Sequence, residues 1–253
     1  MLTAGIDVGS VNTKVVLRDS ARGRIVGRGV RPTGHRPRAT AAAALEACLA
    51  EAGIGRAALC RLVATGYARH AVEGADDTVT EIRAAALGAR HWHPDCRTLI
   101  DIGGQDSKVL SIDDRGRVAE FVMNDRCAAG TGHFLSVLAS RLNVPLNQFG
   151  PLGLASRRPV AVSSLCVVMA ESEILSLVAA DTPVEDIIAG LHEALARRVA
   201  NMAARVPVRP EVVFTGGVAA DAGMARALGT AFDVEVTVCR EPLYAAALGA
   251  ALA

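Results

Sequence analysis

The chain has 253 residues, with 27 Lys and Arg against 26 Asp and Glu, and a formal net charge of +1 at pH 7. This balance excludes a bulk electrostatic attraction to nucleic acid or to an anionic membrane. No apolar run reaches the roughly 18 residues of a membrane-spanning helix, so no membrane partner is expected. The opening MLTAGIDVGS reads as a strand and not as a signal peptide, which predicts a cytoplasmic protein.

Apolar runs bounded by Gly or Asp alternate with alanine-rich windows along the chain. The runs predict strands at 3–9, 14–19, 24–30, 59–65, 98–103, 107–112, 117–123, 211–216 and 234–239. The alanine-rich windows predict helices at 39–52, 81–91, 131–142, 167–179, 184–205, 219–229 and 243–252. Alternating strands and helices are typical of the α/β class.

An internal repeat organises this pattern. The segment IDVGSVNTKVVL at 6–17 returns as IDIGGQDSKVLS at 100–111, so that Asp7 matches Asp101. Each copy predicts a strand ending in Asp-x-Gly, a tight polar turn and a second strand. The tip of such a hairpin presents backbone N–H groups beside a carboxylate. A single Asp-x-Gly turn is common in β proteins, so the inference depends on the duplication.

Two such turns facing one another would bind the phosphates of a nucleotide, because glycine lets the backbone approach an anion closely. Asp7 and Asp101 suit Mg²⁺, a hard ion that prefers oxygen ligands and keeps its waters. Gln105 either orients the attacking water or is only a polar turn residue. The candidates for phosphate contact are Gly9, Ser10, Thr13, Lys14, Gly103 and Gly104. For Lys14 and its counterpart Lys108, the alternative is a solvated strand residue.

A third glycine signal is VVFTGGVAADAGM at 212–224, which predicts a strand, a turn at Gly216 and Gly217, and the start of a helix. These glycines would let a base or a ribose lie against the main chain. Neither the pattern GxxxxGK[ST] nor GxGxxG occurs in the sequence, so the nucleotide site is of another type.

The six cysteines, at 48, 60, 96, 127, 166 and 239, form no close pair. This spacing indicates neither a thioredoxin motif nor a single-chain zinc site. Cys127, in NDRCAAGTGHFL, and Cys166, in SSLCVVMAESE, each precede a predicted helix. We expect the first helix to begin near Gly130, and Ser163 or Ser164 to cap the second.

The positive end of a helix stabilises anionic sulfur, which favours Cys127 and Cys166 as metal ligands. An iron–sulfur cubane normally takes four thiolates, and a twofold dimer would supply the missing pair. The alternative, from the residues alone, is a pair of inert buried cysteines. Cys48, Cys60, Cys96 and Cys239 lie in apolar patterns and are expected in the core.

The two hairpins and the late glycine turn resemble the phosphate-1, phosphate-2 and adenosine motifs of the superfamily of acetate and sugar kinases, Hsp70 and actin. The resemblance implies two ribonuclease-H-like halves with an ATP cleft between them. We expect the first half at 1–97, with the terminal helix 241–253 packing back on it. The second half, at 98–240, would carry the cluster ligands and the adenosine motif.

A closer resemblance rests on several motifs in order: VATGYARH, TEIRAAALGA, LIDIGGQDSKVL, MNDRCAAGTGHFL, SSLCVVMAESEIL, IIAGLHEALARRVANMA, VVFTGGVA and ALGAAL. Together they resemble the ATP-dependent activators of 2-hydroxyacyl-CoA dehydratases, a family shared with the ATPase subunits of benzoyl-CoA reductase. The chain departs from the usual pattern at Ala68, Ala85, Met169 and Ala246, none of which is a candidate ligand.

This family resemblance implies one [4Fe–4S] cluster held between two protomers by Cys127 and Cys166, together with ATP or ADP and Mg²⁺. It implies an electron received from a ferredoxin or flavodoxin and passed on to an acyl-CoA dehydratase. The alternative partner is a benzoyl-CoA or other aryl-CoA reductase.

Two other functions on the same fold remain alternatives: a small-metabolite kinase and an ATP-switched assembly or chaperone module. The kinase lacks support because this compact chain has no evident acceptor insertion, and the switch would not account for the two cysteine motifs. Four charged residues flank the cysteines and serve either the cluster and partner docking or solvated ion pairs: Asp125, Arg126, Glu171 and Glu173. His133 is expected at the surface.

Overall fold

The computed structural model describes residues 1–163 and 166–253, which form two compact units. The first unit comprises Met1–Cys96, Ile112–Ala119 and Cys239–Ala253. The second comprises Arg97–Ser111 and Glu120–Val238. Each unit is built around its own five-stranded mixed sheet.

The first sheet has the strand order β3-β2-β1-β4-β5. Its strands are β1 (Leu2–Val8), β2 (Asn12–Asp19), β3 (Arg24–Pro32), β4 (Leu59–Thr65) and β5 (Asp77–Thr78). β1, β2 and β3 pair antiparallel, whereas β4 pairs parallel to β1 and to β5. The helices of this unit are α1 (Pro37–Glu51), α2 (Glu81–Trp92) and α8 (Ala245–Leu252).

The second sheet has the order β10-β9-β6-β7-β8. Its strands are β6 (Thr98–Ile102), β7 (Ser107–Ile112), β8 (Val118–Asn124), β9 (Val212–Thr215) and β10 (Val236–Val238). The helices of the second unit are α3 (Gly132–Arg141), α4 (Leu146–Ala155), α5 (Val167–Ala179), α6 (Val184–Ala203) and α7 (Ala222–Phe232).

Written from β8 to β10, the second sheet has the order β8-β7-β6-β9-β10, which matches β3-β2-β1-β4-β5 of the first sheet strand by strand. β6 pairs antiparallel to β7 and parallel to β9, as β1 pairs with β2 and β4. The sequence repeat therefore corresponds to a repeat of whole sheets. The predicted α/β class with two ribonuclease-H-like halves is confirmed.

The alanine-rich helix α8 is buried in the core of the first unit. The helix α8 packs against α2, β1 and β2, and its small side chains allow this close approach. Ala247, Leu248 and Ala250 of α8 are fully buried, and so is Ile6 of β1. Ala85 of α2, one of the departures from the family pattern, is also buried.

Two elements were missed in the sequence. β5 has only two residues, and α4 contains two glycines and Pro151 within LNQFGPLGLA, a composition that favours a loop. A proline inside a helix removes one hydrogen bond, so tertiary packing must stabilise α4. Phe149 of α4 is fully buried in the core of the second unit, which supplies that packing.

The core cysteines were predicted correctly at three positions of four. Cys48, Cys96 and Cys239 are buried, and burial raises the pKa of the Cys48 thiol to about 11. The prediction for Cys60 is wrong, since this residue is exposed near the start of β4. Strand residues alternate between faces, and an apolar pattern alone does not say which end of a strand reaches the surface.

Among the helices of the described residues, none combines the length and the apolar character needed to cross a bilayer.

Candidate functional site

The first hairpin turn brings a carboxylate and an ammonium group together. Asp7, near the end of β1, lies opposite Lys14 of β2, and Lys14 Nζ donates to Asp7 Oδ2 at 2.8 Å. Both side chains are largely buried, so Lys14 is not a solvated strand residue. Gly9 N donates to Asn12 O at 3.1 Å and closes the turn, with Ser10 exposed at its tip.

Beneath this turn lies a chain of threonine hydroxyls. Thr13 is fully buried, and its Oγ1 lies 3.0 Å from Oγ1 of Thr33. Thr33 in turn donates to the carbonyl oxygen of Gly9 at 2.7 Å. Thr13, one of the candidates for phosphate contact, therefore has its hydroxyl in the interior, where it supports the turn.

The second hairpin turn repeats the first with one addition. Asp101 of β6 lies opposite Lys108 of β7, and Lys108 Nζ is 3.6 Å from Asp101 Oδ2. Lys108 Nζ also donates to Asp106 Oδ2 at 2.7 Å. Lys108 is almost completely buried, so it too is not a solvated residue. Gly103 N donates to Asp106 O at 2.9 Å, and Gln105 is exposed at the tip.

A Thr-Gly pair on the neighbouring parallel strand adjoins each acid. Thr215 of β9 lies opposite Asp101, and its Oγ1 donates to Asp101 Oδ1 at 3.2 Å. Gly216 follows with φ +92°, and a Cβ there would lie 2.8 Å from Asp101 Oδ1. Thr65 lies opposite Asp7 in the same way.

The glycine after Thr65 shares the constraint found at Gly216. Gly66 has φ +94°, and a Cβ there would meet Oδ1 of Asp7 and the carbonyl oxygen of Val8. A side chain at this position would therefore be strained and would also displace the acid.

Sequence reasoning missed Thr65 and Gly66 as site residues. The signal was the likeness of VATG at 63–66 to VFTG at 213–216, a similarity of only four residues. A match of four residues is informative only when the structure shows that both segments end a strand next to an aspartate. Among the described residues, Oγ1 of Thr65 is buried and has no hydrogen-bond partner.

The adenosine-type turn, which begins at Gly216 and Gly217, is joined to helix α6 by a hydrogen bond. Gly217 is exposed, and the space in front of its Cα is open. Asp221 ends this segment and caps α7 by accepting from Met224 N at 3.0 Å. The other carboxylate oxygen of Asp221 accepts from Nε2 of His192, a residue of α6 that is 2% exposed, at 2.9 Å.

The two candidate cluster ligands both lie in the second unit. Cys127 is half-buried in the loop before α3, which begins at Gly132, two residues after Gly130. Cys166 is exposed and is itself the N-cap of α5, with no side-chain capping bond.

The predicted caps of α5 need correction. The hydroxyl of Ser163 donates to Oε1 of Glu173 at 3.1 Å, and the N-cap position is occupied by Cys166. Ser164 lies outside the described residues.

The segments around the cysteines line a common pocket of about 930 Å³. Its lining includes Asp125, Arg126 and Gly130 from the Cys127 loop and Ser163 from the segment that leads to Cys166. Nowhere in the described ranges do three His, Cys, Asp or Glu side chains converge as a metal site would require.

Two neighbouring acids have partners within the protein. Glu171 of α5 accepts from Nε of Arg141 of α3 at 2.8 Å, and Glu173 accepts from the backbone N–H of Ser163 at 2.9 Å. Glu171 thus forms an ion pair, although an exposed pair of this kind contributes only about 0–1 kcal/mol. His133 is exposed, as predicted.

One face of α5 is apolar and exposed. Leu175 and Val178 lie one turn apart, and Val168 lies two turns before Leu175. Met169 is also exposed beside them. A contiguous exposed apolar surface is typical of an interaction face.

A protein-family model described as the BadF/BadG/BcrA/BcrD ATPase family matches residues 4–253. The chain belongs to this ATPase family. The family predicted from the motifs is thereby confirmed, and so is the expected ATPase class.

Two relatives of known name resemble the chain over 99% of its length. It is 41% identical over 252 residues to the (R)-2-hydroxyglutaryl-CoA dehydratase activating ATPase of Acidaminococcus fermentans, covering 99% of this chain and 95% of the relative. One of the subunits of benzoyl-CoA reductase from Thauera aromatica is 31% identical, covering 99% of this chain and 92% of the relative.

A solved structure shows the same fold. The activator of the 2-hydroxyisocaproyl-CoA dehydratase from Clostridium difficile, with bound ADPNP, superposes with a TM-score of 0.95 at 38% identity. The match covers 100% of this chain and 93% of that one.

Proposed function

We propose that this ATPase is an electron-transfer activator of a 2-hydroxyacyl-CoA dehydratase, with one [4Fe–4S] cluster held between two copies of the chain. The observation that carries the proposal is the position of Cys127 in the loop before α3 and of Cys166 at the N-cap of α5, both in the unit that also holds the Asp101 turn. The identity of 41% with an activating ATPase supports the choice of activity.

For the nucleotide, we infer a site in which the two hairpin turns act together, with halves at 1–97 plus 241–253 and at 98–240. Asp7 and Asp101 would hold the waters of Mg²⁺, which supplies charge neutralisation at the phosphates. Backbone N–H groups at Gly9, Ser10, Gly103 and Gly104 would bind phosphate oxygens, with Lys14 close to the first turn. Gly216 and Gly217 would lie against the adenosine.

Two roles follow from the geometry of the tips. Gln105 is exposed at the second turn and would orient the water molecule that attacks the terminal phosphate. Thr13 would act only indirectly, through Thr33 and the carbonyl of Gly9.

For the cluster, the residues present fit the group in number and chemistry. Each chain offers the half-buried thiol of Cys127 and the exposed thiol of Cys166, and twofold symmetry would complete the four thiolates of a cubane. The apolar face of α5 next to Cys166 would bury against the second copy. A bound cluster would supply one-electron transfer.

The cellular partners are proposed from the similarity to activators of acyl-CoA dehydratases. We infer a ferredoxin or flavodoxin as electron donor, an acyl-CoA dehydratase as acceptor, and a cytoplasmic location. ATP hydrolysis can drive an unfavourable electron transfer only if nucleotide states differ in affinity for two conformations of the dimer. The second candidate is the ATPase component of an aryl-CoA reductase, supported by the 31% identity to the benzoyl-CoA reductase relative from Thauera aromatica.

The test is anaerobic purification of the protein with iron analysis, visible absorption and native mass measurement. We expect a brown dimer that contains about four iron atoms. Cys127→Ser and Cys166→Ser should each lose the colour and still bind ADP, because the nucleotide turns lie elsewhere in the chain. Cys60→Ser, which alters another exposed thiol, should keep the iron. A colourless wild type that binds ADP, or a Cys166→Ser protein with full iron content, would refute the cluster.

A further inference from the structure

The side chain of Asn124 makes three hydrogen bonds to the backbone of the loop that carries Cys127. Asn124, the last residue of β8, donates from Nδ2 to the carbonyl oxygens of Cys127 at 2.8 Å and of Ala129 at 3.1 Å. Its Oδ1 accepts the N–H of Cys127 at 3.3 Å. The amide nitrogen thus faces two acceptors while the amide oxygen faces a donor. An aspartate could not make these three contacts, since its carboxylate has no donor.

The carbonyl oxygen between these two is bonded as well. Ala128 O accepts from Thr131 N at 3.1 Å and from Thr131 Oγ1 at 2.7 Å. Thr131 is fully buried and is the N-cap of α3. Three consecutive carbonyls, at 127–129, are therefore fixed inside the loop by Asn124 and Thr131.

The start of α3 is bonded to the second hairpin turn. Gly132 N donates to Gly103 O at 2.9 Å, and His133 N donates to Gly104 O at 2.8 Å. These are N–H groups that the first turn of a helix leaves without an intrahelical partner. A displacement of the Gly103–Gly104 turn would therefore move the start of α3 and, through Thr131, the loop of Cys127.

We propose that Asn124 is a positioning residue for Cys127, and that the two bonds from α3 to the turn couple nucleotide binding to the conformation around this thiol. The inference rests on the proposed function, in which Gly103 and Gly104 contact phosphate and Cys127 binds the cluster. Asn124 touches neither group and acts only through the backbone of the loop.

The first experiment measures the rate of Cys127 alkylation by iodoacetamide in reduced, iron-free protein, followed by peptide mass spectrometry. Asn124→Asp places an oxygen against two carbonyls, and Asn124→Ala removes all three bonds. We expect both to raise the rate about tenfold, the equivalent of one lost buried hydrogen bond. Glu120→Gln, an exposed change on the same strand, should leave the rate unchanged, and buried Cys48 serves as the unreactive reference.

The same variants should also hold iron less tightly, by about 10- to 100-fold, as is usual when a residue that orients a metal ligand is replaced. Circular dichroism and ADP binding would show that the variants are folded. Unchanged alkylation of Cys127 in both folded variants would overturn the role of Asn124.

The second experiment tests the coupling with a matched pair at His133. His133→Pro removes the N–H that binds Gly104, at a helix position where no intrahelical bond is lost, whereas His133→Ala removes only the exposed ring. In wild type and His133→Ala, we expect Mg·ADP to change the rate of Cys127 alkylation by about fivefold or more. In His133→Pro this response should be lost.

Equal responses in the two His133 variants, or a wild-type rate indifferent to Mg·ADP, would refute the coupling. These measurements use iron-free protein and so do not depend on the cluster. An absence of iron in the anaerobically purified wild type would instead refute the proposed function.

Discussion

Thr215 donates a hydrogen bond from Oγ1 to Oδ1 of Asp101 at 3.2 Å, across the paired strands β9 and β6. Thr65 and Asp7 occupy the same positions in β4 and β1 of the other sheet. Each acid thus lies between a lysine on one neighbouring strand and a threonine on the other. This arrangement, and not the hairpin alone, is the unit that the chain repeats.

Replacement of Thr215 by valine should destabilise the protein more than the same change at Thr65. Thr215→Val removes a hydrogen bond to a carboxylate, and we expect the free energy of unfolding to fall by about 1.5–3 kcal/mol. Thr65→Val should leave it unchanged or raise it, because the Thr65 hydroxyl is buried without a partner among the described residues. Urea unfolding measures the stability of both variants. Equal losses would contradict the view that only Thr215 donates a hydrogen bond to its aspartate.

Substitution of Gly66 should destabilise the first unit through backbone strain. Gly66→Ala adds a Cβ at φ +94° that overlaps Asp7 and Val8, and we expect a loss of about 1–3 kcal/mol or more. Gly55→Ala is the control, since Gly55 has φ −71° and open space in front of it. A Gly66→Ala protein as stable as the control would show that the Asp7 turn can be rearranged at little cost.

The bond between His192 and Asp221 should matter for the adenosine-type turn. His192→Phe leaves Oδ2 of the Asp221 carboxylate without its donor, and we expect the protein to lose about 1–3 kcal/mol of stability. His192→Gln should retain much of it, because its amide can donate in place of the ring. Thermal unfolding and ADP titration of the two variants test this, and indistinguishable results would exclude a role for the donor.

Ionisation of Cys48 should lower stability in alkaline solution. Burial raises the pKa of this thiol from 9.0 to about 11, so the unfolded chain ionises first as the pH rises. The free energy of unfolding should therefore fall with a slope of one proton between pH 9 and about 11. The comparison is with Cys48→Ala, in which this part of the pH dependence should vanish. If the free energy of unfolding changed with pH in the same way in wild type and Cys48→Ala, the result would be inconsistent with a buried thiol.

The sequence by itself determined the α/β class, the two related sheets and the aspartate turns. These features depend on local order: apolar alternation specifies strands, and the duplicated Asp-x-Gly specifies where each hairpin turns. It also singled out Cys127 and Cys166, because a thiol before a glycine-rich or polar helix start stands out from an apolar pattern. Local propensity failed at α4, where burial of Phe149 overrides Pro151.

Only the tertiary structure decided which of these residues meet. Thr65 reaches Asp7, and Gly132 reaches Gly103, by pairing between segments that are far apart in the chain. The burial of Lys108 and the exposure of Cys60 depend likewise on what covers each strand. A sequence pattern records the period of a strand or helix, but the partner across the sheet is fixed by packing of the whole unit.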